Sequence, residues 1–226
     1  MAASDTRPDV TVVIPAYNPG PLLEQAIRSV QAQTRGNSEI IVVDDASTED
    51  VQQHLQPFGD SVTYVRQRHG GPSVARNRGI LLARAPYVAF LDADDLWMPD
   101  KIARQLPLLE ADEDVVLVYG DFYKSTSPEH EPRSSLGSRE HWVAGEEFRS
   151  LLRQNFVHTS SVVARRTAFA DAGLFDANLD SGEDLDMWIR LAKIGKFGFV
   201  NEILTFYRVH DNQTVNTLKF ARSMTY

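Results

Sequence analysis

The first half of the chain contains four short apolar runs rich in β-branched residues, at positions 10–15, 39–43, 62–65 and 87–91. Continuous apolar runs of this length are typical of strands that are buried on both faces of a parallel sheet. A helical or turn pattern follows each run, and strands that alternate with helices indicate βαβ units. The alternation therefore predicts an α/β fold around a central mixed, mostly parallel sheet.

Composition narrows the class of protein. The chain has 226 residues, of which 42% are hydrophobic, and this length suggests one domain with a proper core. Its formal net charge of -8 argues against nucleic acid as a bulk electrostatic partner. Cysteine is absent, which excludes a disulfide framework and a thiolate zinc site.

Two further features concern the compartment. No apolar run approaches the length that spans a bilayer, and the polar first residues lack the apolar core of a signal peptide. Absence of cysteine also fits a reducing compartment. We therefore predict a cytoplasmic protein, and peripheral association with the inner face of the membrane stays open.

The second half has a less regular pattern. Short strands are predicted at 115–119, 160–164, 197–200 and 204–207. Helices are predicted from Pro99, over 145–153 and 165–172, and from Ser181; Pro107 is expected to kink or shorten the first of them. Residues 124–141, rich in Ser, Pro, Glu and Arg, are predicted to form a mobile surface loop.

The acidic stretch after the fourth apolar run is the strongest functional signal. Asp92, Asp94 and Asp95 place three carboxylates within four residues, and like charges this close repel one another. A divalent cation is the simplest shared partner, because hard cations take oxygen ligands. Open α/β sheets also bind ligands beyond the carboxyl ends of their strands. The alternative is an acidic turn that caps the helix at Pro99; the apolar run before it favours the ligand site.

Asp44 and Asp45 end the second apolar run and should lie at the same edge of the sheet. A carboxylate there can accept hydrogen bonds from a base or a ribose hydroxyl. Aspartate is equally suited to cap the following helix. Because there are two aspartates, both roles can hold.

A glycine-rich turn at Gly70-Gly71 opens a basic helix that carries Arg76 and Asn77. Glycine lets the backbone approach a ligand closely, and a helix N-terminus favours anions such as phosphate. The Gly-Lys-Ser/Thr of a Walker A loop is missing. On spacing alone, a solvated helix with its arginines outward is slightly favoured.

Two acidic residues, Glu183 and Asp184, begin the last strong helix. Ser181 with Asp184 three residues later has the spacing of a capping box, whereas a carboxylate at a pocket mouth can act as a general base. His210, after the last predicted strand, has the chemistry of a metal or phosphate ligand. A lone histidine is more often structural, and nothing in its spacing ties it to the aspartates.

Taken in order, these segments resemble glycosyltransferase family 2. The resemblance rests on Val-Ile-Pro-Ala-Tyr-Asn, Val-Val-Asp-Asp-Ala-Ser, Ala-Arg-Asn-Arg-Gly, Phe-Leu-Asp-Ala-Asp-Asp, Gly-Glu-Asp and Tyr-Arg-Val-His, at 13–18, 42–47, 75–79, 90–95, 182–184 and 207–210. It implies the GT-A fold, a single α/β/α domain over 1–226. Residues 10–98 would form a Rossmann-like nucleotide-sugar-binding half, and 99–226 an acceptor-binding half.

The resemblance also implies roles for individual residues in an inverting, metal-dependent transfer of a sugar from a nucleotide diphosphate. Asp184 would be the catalytic base, with Glu183 as its neighbour and reserve. The metal, Mn²⁺ or Mg²⁺, would be held chiefly by Asp94, with Asp92, Asp95 and His210 as the other candidates. The nucleotide would contact Pro15, Tyr17, Asn18, Asp44, Asp45, Arg76, Asn77, Asp92 and Ala93.

One departure from the family pattern concerns processivity. The Gln-x-x-Arg-Trp motif of processive synthases is absent, which favours a single-sugar transfer in polysaccharide or glycoconjugate synthesis. The implied donor is a UDP-sugar, and the acceptor is a saccharide, a lipid-linked sugar or a protein. Acceptor specificity is expected in the 124–141 loop, because variable surface loops usually carry it.

Two other classes compete with a glycosyltransferase. A sugar nucleotidyltransferase normally carries a basic, glycine-rich loop directly after its first strand, where this chain has Pro-Ala-Tyr-Asn-Pro at 15–19. A nucleotide-sugar binding module without catalysis would not require the carboxylate of Asp184. Both alternatives therefore rank below the transferase.

Overall fold

The four apolar runs of the first half form strands, as predicted. The computed structural model describes residues 7–35, 37–128 and 145–210. Its strands are β1 (Val10–Ala16), β2 (Ser38–Asp44), β3 (Val62–Arg66), β4 (Tyr87–Phe90), β5 (Leu96–Trp97), β6 (Val115–Ser125), β7 (Val163–Arg165) and β8 (Lys196–Arg208). All eight pair in one sheet, in the order β3-β2-β1-β4-β7-β6-β8-β5.

The direction of the strands divides the sheet into two parts. Strands β1 to β4 are all parallel, which confirms the βαβ prediction. Strand β7 runs antiparallel to both β4 and β6, whereas β8 is parallel to β6. The chain passes from β1 outward to β3 and then returns to add β4 on the other side of β1. Open α/β sheets bind ligands where the strand order reverses in this way, which is here at the carboxyl ends of β1 and β4.

Helices cover both faces of the sheet in the part of the chain that the structure describes. They are α1 (Leu22–Gln31), α2 (Val51–Leu55), α3 (Gly71–Leu82), α4 (Lys101–Ala111), α5 (Glu147–Leu151), α6 (Ala168–Ala172) and α7 (Glu183–Ala192). One buried cluster joins α1, α2 and α4 to the sheet, and a second joins the sheet to α5, α6 and α7. None of these helices has both the length and the apolar character needed to cross a bilayer.

The alternation of side chains along β1 explains the two layers. Val12 and Ile14 belong to the cluster on the α1 face, whereas Val13 points to the opposite face. There, α3 lies against β1 through Gly79, because a Cβ at that position would come within 2.2 Å of the Val13 side chain. This close approach brings the start of α3 to the carboxyl edge of the sheet.

The second half differs in detail from the prediction. The strands expected at 197–200 and 204–207 are one continuous strand, β8, because β6 and β5 pair with it on either side. Strand β6 continues through Ser125 and takes in the first two residues of the expected loop. Residues 129–141 of that loop lie outside the described residues. Helix α4 continues past Pro107 to Ala111, and Ser160 and Ser161 form a 3-10 turn before β7.

Candidate functional site

The three aspartates after β4 do not converge on one point but have separate partners. The Asp92 carboxylate accepts a hydrogen bond from Arg76 Nη2 at 2.9 Å. Asp94 Oδ2 lies 2.9 Å from His210 Nε2, a contact that sequence spacing did not indicate. Asp95 faces the interior instead. Within the described ranges, no group of three or more His, Asp or Glu side chains is arranged to hold a metal ion.

Asp95 is fully buried, and both of its oxygens are engaged within the protein. Oδ2 accepts a hydrogen bond from Ser160 Oγ at 2.6 Å and lies 2.9 Å from His158 Nε2. Oδ1 accepts the backbone N–H of Arg208 at 3.0 Å. The expectation that Asp95 shares a cation with its neighbours is therefore corrected: this carboxylate ties the acidic turn to β8 and to the turn before β7.

The surroundings of Asp94 disfavour its ionised form. Burial raises the pKa of Asp94, and the negative charges of Asp95 and Asp92 raise it further, against a lowering by the His210 hydrogen bond. The side chains of Asp94 and His210 are each 30% exposed. A partly accessible carboxylate beside an imidazole, in a negative surrounding, has the donor chemistry and the electrostatics that a divalent cation would stabilise.

Arg76 is a buried link between the end of β4 and the start of α7. Its Nη2 donates to Asp92, and its Nη1 donates to Glu183 Oε1 at 3.0 Å, while Nε is buried without a partner. Burial alone would lower the pKa of Arg76, but the charges of Asp92 and Glu183 raise it, so the guanidinium stays charged. The expectation of outward arginines is therefore wrong for Arg76, although Arg78 is exposed.

The start of α7 holds Asp184 in a half-buried polar setting. Asp184 Oδ2 accepts a hydrogen bond from Asn155 Nδ2 at 2.9 Å, and Oδ1 accepts the N–H of Leu185 at 2.7 Å. The N-cap is Gly182, with φ 77°, and not Ser181, so the predicted capping box is not formed. Burial raises the pKa of Asp184, and the neighbouring charge of Glu183 raises it further. A carboxylate with a raised pKa is suited to take up a proton.

The first aspartate at the end of β2, Asp44, is a structural residue. It is fully buried and accepts hydrogen bonds from Ser47 N at 2.8 Å, Tyr64 Oη at 2.7 Å and Arg66 Nη1 at 2.7 Å. Burial alone would raise the pKa of Asp44, but these hydrogen bonds and the Arg66 charge lower it. The expectation that Asp44 contacts a nucleotide is corrected, because its hydrogen bonds are made within the protein.

The second aspartate, Asp45, lies under the glycine-rich turn. Its carboxylate accepts the backbone N–H groups of Gly70 and Gly71, each at 2.8 Å, and the side-chain N–H of Gln67 at 2.8 Å. The N-terminus of α3 was expected to attract a phosphate, but the anion at this helix end is Asp45 itself. His69 Nδ1 also lies 2.9 Å from Asp45, and the His69 side chain is 63% exposed.

Residues after β1 complete the same edge. Tyr17 is 54% exposed, and its ring centroid lies 5.0 Å from that of His69. Asn18 adopts a positive φ of 48° and uses its side-chain oxygen to accept the N–H of Thr48 at 2.8 Å. Pro15 is half-buried within β1. Tyr17 and His69 thus form an exposed aromatic pair, whereas Asn18 holds the loops after β1 and β2 together.

Two other predicted ligand residues serve the scaffold. Asn77 donates from Nδ2 to the carbonyl of Phe175 at 2.8 Å and accepts the N–H of the same residue at 2.8 Å. Its side chain therefore anchors the loop before α7 and is not free for the expected nucleotide contact. Ala93 is half-buried, and its side chain packs against the core. Its role within the acidic turn is therefore to place the backbone between Asp92 and Asp94.

Four further polar residues support these carboxylates, and of the four only Arg208 lies in a segment that carries the family resemblance. Asn155 supports Asp184, while His158 and Ser160 support Asp95. Arg208 donates from Nε to the Asp94 carbonyl at 2.8 Å in addition to its backbone contact with Asp95. These residues lie far along the chain from the carboxylates they support, so local patterns do not reveal these contacts.

Comparison with solved structures defines the class of protein. S. aureus TarS, residues 1–349, matches with a TM-score of 0.74 at 18% identity, over 88% of this chain and 60% of that one. The mannosyltransferase PcManGT from Pyrobaculum calidifontis, solved with GDP-Man and Mn²⁺, matches with a TM-score of 0.70 at 22% identity, over 91% and 58%. The fold is that of the GT-A glycosyltransferases, as predicted. The chain spans about three fifths of each of these structures.

The sequence comparisons identify the family. The family model for glycosyl transferase family 2 matches residues 11–172. This chain therefore belongs to that family. Glycosyltransferase RT0329 of Rickettsia typhi is 31% identical over 96% of this chain and 69% of its own length. The Escherichia coli UDP-Glc:alpha-D-GlcNAc-diphosphoundecaprenol beta-1,3-glucosyltransferase WfaP is 29% identical over 89% of this chain and 77% of its own length. Membership favours a glycosyltransferase over a sugar nucleotidyltransferase or a binding module.

Proposed function

We propose that this protein is an inverting, metal-dependent and non-processive glycosyltransferase that moves a sugar from a nucleotide diphosphate to an acceptor hydroxyl. The observation that carries the proposal is the ion-pair link from Asp92 through Arg76 to Glu183. This link brings the acidic turn after β4 to the start of α7. A site for the donor diphosphate and a carboxylate suited to deprotonate an acceptor therefore lie together.

The donor would bind along the carboxyl edge of the first four strands, which makes 10–98 the donor half and 99–226 the acceptor half. The base would lie between the exposed pair Tyr17 and His69 and the carboxylate of Asp45, where one of the present hydrogen bonds would give way to a base N–H. Relatives favour uridine, since the name of WfaP specifies UDP-Glc and TarS has been solved with UDP-GlcNAc. We therefore propose a UDP-sugar donor.

A divalent cation, Mn²⁺ or Mg²⁺, would be held by Asp94 and His210 together with the donor diphosphate. It would neutralise the negative charge that develops on the leaving diphosphate. The raised pKa of Asp94 supports this assignment, because a cation would relieve the repulsion from Asp92 and Asp95. PcManGT was solved with Mn²⁺, which agrees with a metal in this fold.

Asp184 would accept the proton of the acceptor hydroxyl as that oxygen attacks the anomeric carbon. A single in-line displacement inverts the configuration and requires no covalent intermediate with the protein. Asn155 fixes one oxygen of Asp184, and the Arg76 contact fixes the neighbouring Glu183. We therefore assign the catalytic role to Asp184. Glu183 is a positioning residue, and Arg76 acts by holding Glu183 in place.

The acceptor would be a saccharide that is attached to a lipid, a polysaccharide or a protein. The name of WfaP specifies a sugar on diphosphoundecaprenol, which supports a lipid-linked acceptor and a role in polysaccharide or glycoconjugate synthesis. Absence of the Gln-x-x-Arg-Trp motif in this sequence supports the transfer of one sugar at a time.

A thermal-shift screen of nucleoside diphosphates with and without Mn²⁺ tests the donor site. We expect UDP with Mn²⁺ to raise the melting temperature, and chelator or Asp94→Ala to abolish the metal-dependent part. Asp60→Ala changes an exposed aspartate just before β3, at the amino end of the strand and therefore at the opposite edge of the sheet, and should respond as wild type. Equal stabilisation with and without metal for every nucleotide would refute the metal-dependent donor site.

A further inference from the structure

A mixed basic and apolar surface lies at the far end of α7 from Asp184. It consists of Phe148, Arg149, Leu152, Arg153, Lys193 and Ile194, and we call it the α5–α7 patch. Leu152 is 61% exposed and Ile194 is 44% exposed, which are large fractions for aliphatic side chains. The patch is not used by the proposed transfer reaction, and it combines these exposed apolar atoms with three exposed basic side chains.

A cation–π contact joins the two helices that carry the patch. Lys193, directly after α7, places its ammonium 5.5 Å from the ring centroid of Phe148 on α5. Phe148 and Leu152 are four residues apart and therefore share a helix face. Ile194 follows Lys193 in the chain. The two exposed aliphatic residues thus lie one helical turn or one residue along the chain from the two residues of this cation–π contact.

The charge of the patch is opposite to that of the protein. The chain carries a net charge of -8, and several exposed basic side chains elsewhere pair with acids, as Arg35 does with Glu110 and Lys196 with Asp114. In contrast, Arg149, Arg153 and Lys193 are exposed and form no ion pair with a carboxylate of the described ranges. The exposed Glu146, at the other end of α5, offsets one of these three charges.

We propose that the α5–α7 patch is a docking surface for an anionic lipid bilayer. Basic side chains near anionic headgroups attract the protein, and exposed aliphatic side chains enter the boundary with the acyl chains. The electrostatic attraction and the insertion of aliphatic side chains are each modest, and together they give reversible peripheral binding. Helix α7 has ten residues, so its rise of about 15 Å sets the distance along the helix axis between Asp184 and the docked end.

This surface is separate from the proposed chemistry, because in the described ranges its side chains form no hydrogen bond, ion pair or ring contact with Arg76, Asp94 or Asp184. Membrane docking and sugar transfer can therefore fail separately. A second copy of the chain or a protein partner would use the same apolar atoms but would not require anionic lipid. The lipid dependence of binding separates these occupants.

Vesicle flotation with the full chain tests the proposal. We expect the protein to float with phosphatidylcholine vesicles that contain phosphatidylglycerol, to remain unbound with phosphatidylcholine alone, and to be released by high salt. Each basic residue near the surface contributes a factor of roughly five, so Arg149→Gln, Arg153→Gln and Lys193→Gln together should lower partitioning by about 100-fold. Leu152→Ser with Ile194→Ser should lower it several-fold.

Matched variants keep the result interpretable. Arg78→Gln with Leu81→Ser changes an exposed arginine and a 68% exposed leucine on α3, and should leave flotation unchanged. Arg149→Lys with Arg153→Lys keeps the charge and should retain binding. The proposal is overturned if anionic vesicles do not bind the wild type at low salt, or if the triple variant binds equally well. It is also overturned if the patch variants change only self-association in sedimentation velocity.

Discussion

Strands β2 and β4 both lead into adjacent aspartates at the same edge of the sheet, but the surroundings of the two sets differ. Asp44 is surrounded by donors that lower its pKa, and Asp45 accepts two backbone N–H groups at the start of α3. After β4, burial and like charges raise the pKa of Asp94, and the same holds for Asp184 beside Glu183. The hydrogen bonds of Asp44 and Asp45 stabilise the fold, although Asp45 is proposed to exchange one of them for a base N–H. In contrast, the charges of Asp94 and Asp184 are disfavoured by their surroundings, at positions where a ligand or a proton can relieve them.

The largest expected effect tests the catalytic side of this comparison. Asp184→Asn should lower turnover by roughly 10²–10⁴-fold, the usual contribution of a positioned base, and leave donor affinity unchanged. Because the pKa of Asp184 is raised, wild-type activity should decline on acidification at a pH above the ordinary aspartate range. Transfer rates across pH and nucleotide titrations measure both effects.

Glu183→Gln is the paired control for that substitution. We expect it to lower turnover less than Asp184→Asn does, because Glu183 contacts Arg76 and acts through position. If Glu183→Gln abolishes transfer while Asp184→Asn remains active, the base is the other residue. Normal transfer by both variants would remove the base from this helix.

Removal of Arg76 tests the link between the two acidic groups. Arg76→Ala leaves Asp92 and Glu183 without their shared cation, and loss of one partner of a buried ion pair typically costs about 3–5 kcal/mol. Chemical denaturation measures the loss of unfolding free energy, and Arg76→Lys should restore part of it. The exposed Arg78→Ala provides the control on the same helix. A stable Arg76→Ala protein would show that the link does not hold α7 to the sheet.

Asp44→Ala probes the structural side. Loss of an acceptor for three donors should lower the unfolding free energy by roughly 1–3 kcal/mol at neutral pH. Since the folded pKa is below the unfolded value, this stabilisation is complete above the ordinary aspartate pKa and is lost as pH falls through the folded pKa. Denaturation at several pH values should show the variant approaching wild type on acidification. A deficit that does not depend on pH would contradict the assignment.

The smallest effect has the opposite sign. The folded pKa of Asp184 is raised, so the native state holds more protons than the unfolded state between the two pKa values, and wild-type stability falls as pH rises through that window. Asp184→Asn does not titrate, and should therefore be more stable than wild type at neutral pH by up to about 1 kcal/mol. Melting temperatures from acid to neutral pH measure the difference. A less stable variant at neutral pH would place Asp184 with Asp44 as a structural residue.

The family resemblance and the parallel half of the sheet were predictable because both depend on local sequence. The β-branched runs specify strands, and glycine, proline and aspartate mark the turns between them. The antiparallel β7 and the length of β8 were not predictable in the same way. Val163 on β7 lies between Ala89 on β4 and Val118 on β6, and these pairings join residues that are far apart along the chain.

The sequence by itself determined which carboxylates lie at the edge of the sheet, since a strand that ends in aspartate places it at that edge whatever its neighbours are. Only the tertiary structure decided what each carboxylate does. Asp95 became a buried acceptor for His158 and Ser160, and Asp94 was left beside His210, more than one hundred positions away. The physical reason is that a pKa depends on burial and on charges within a few ångströms, and these distances are set by packing rather than by sequence spacing.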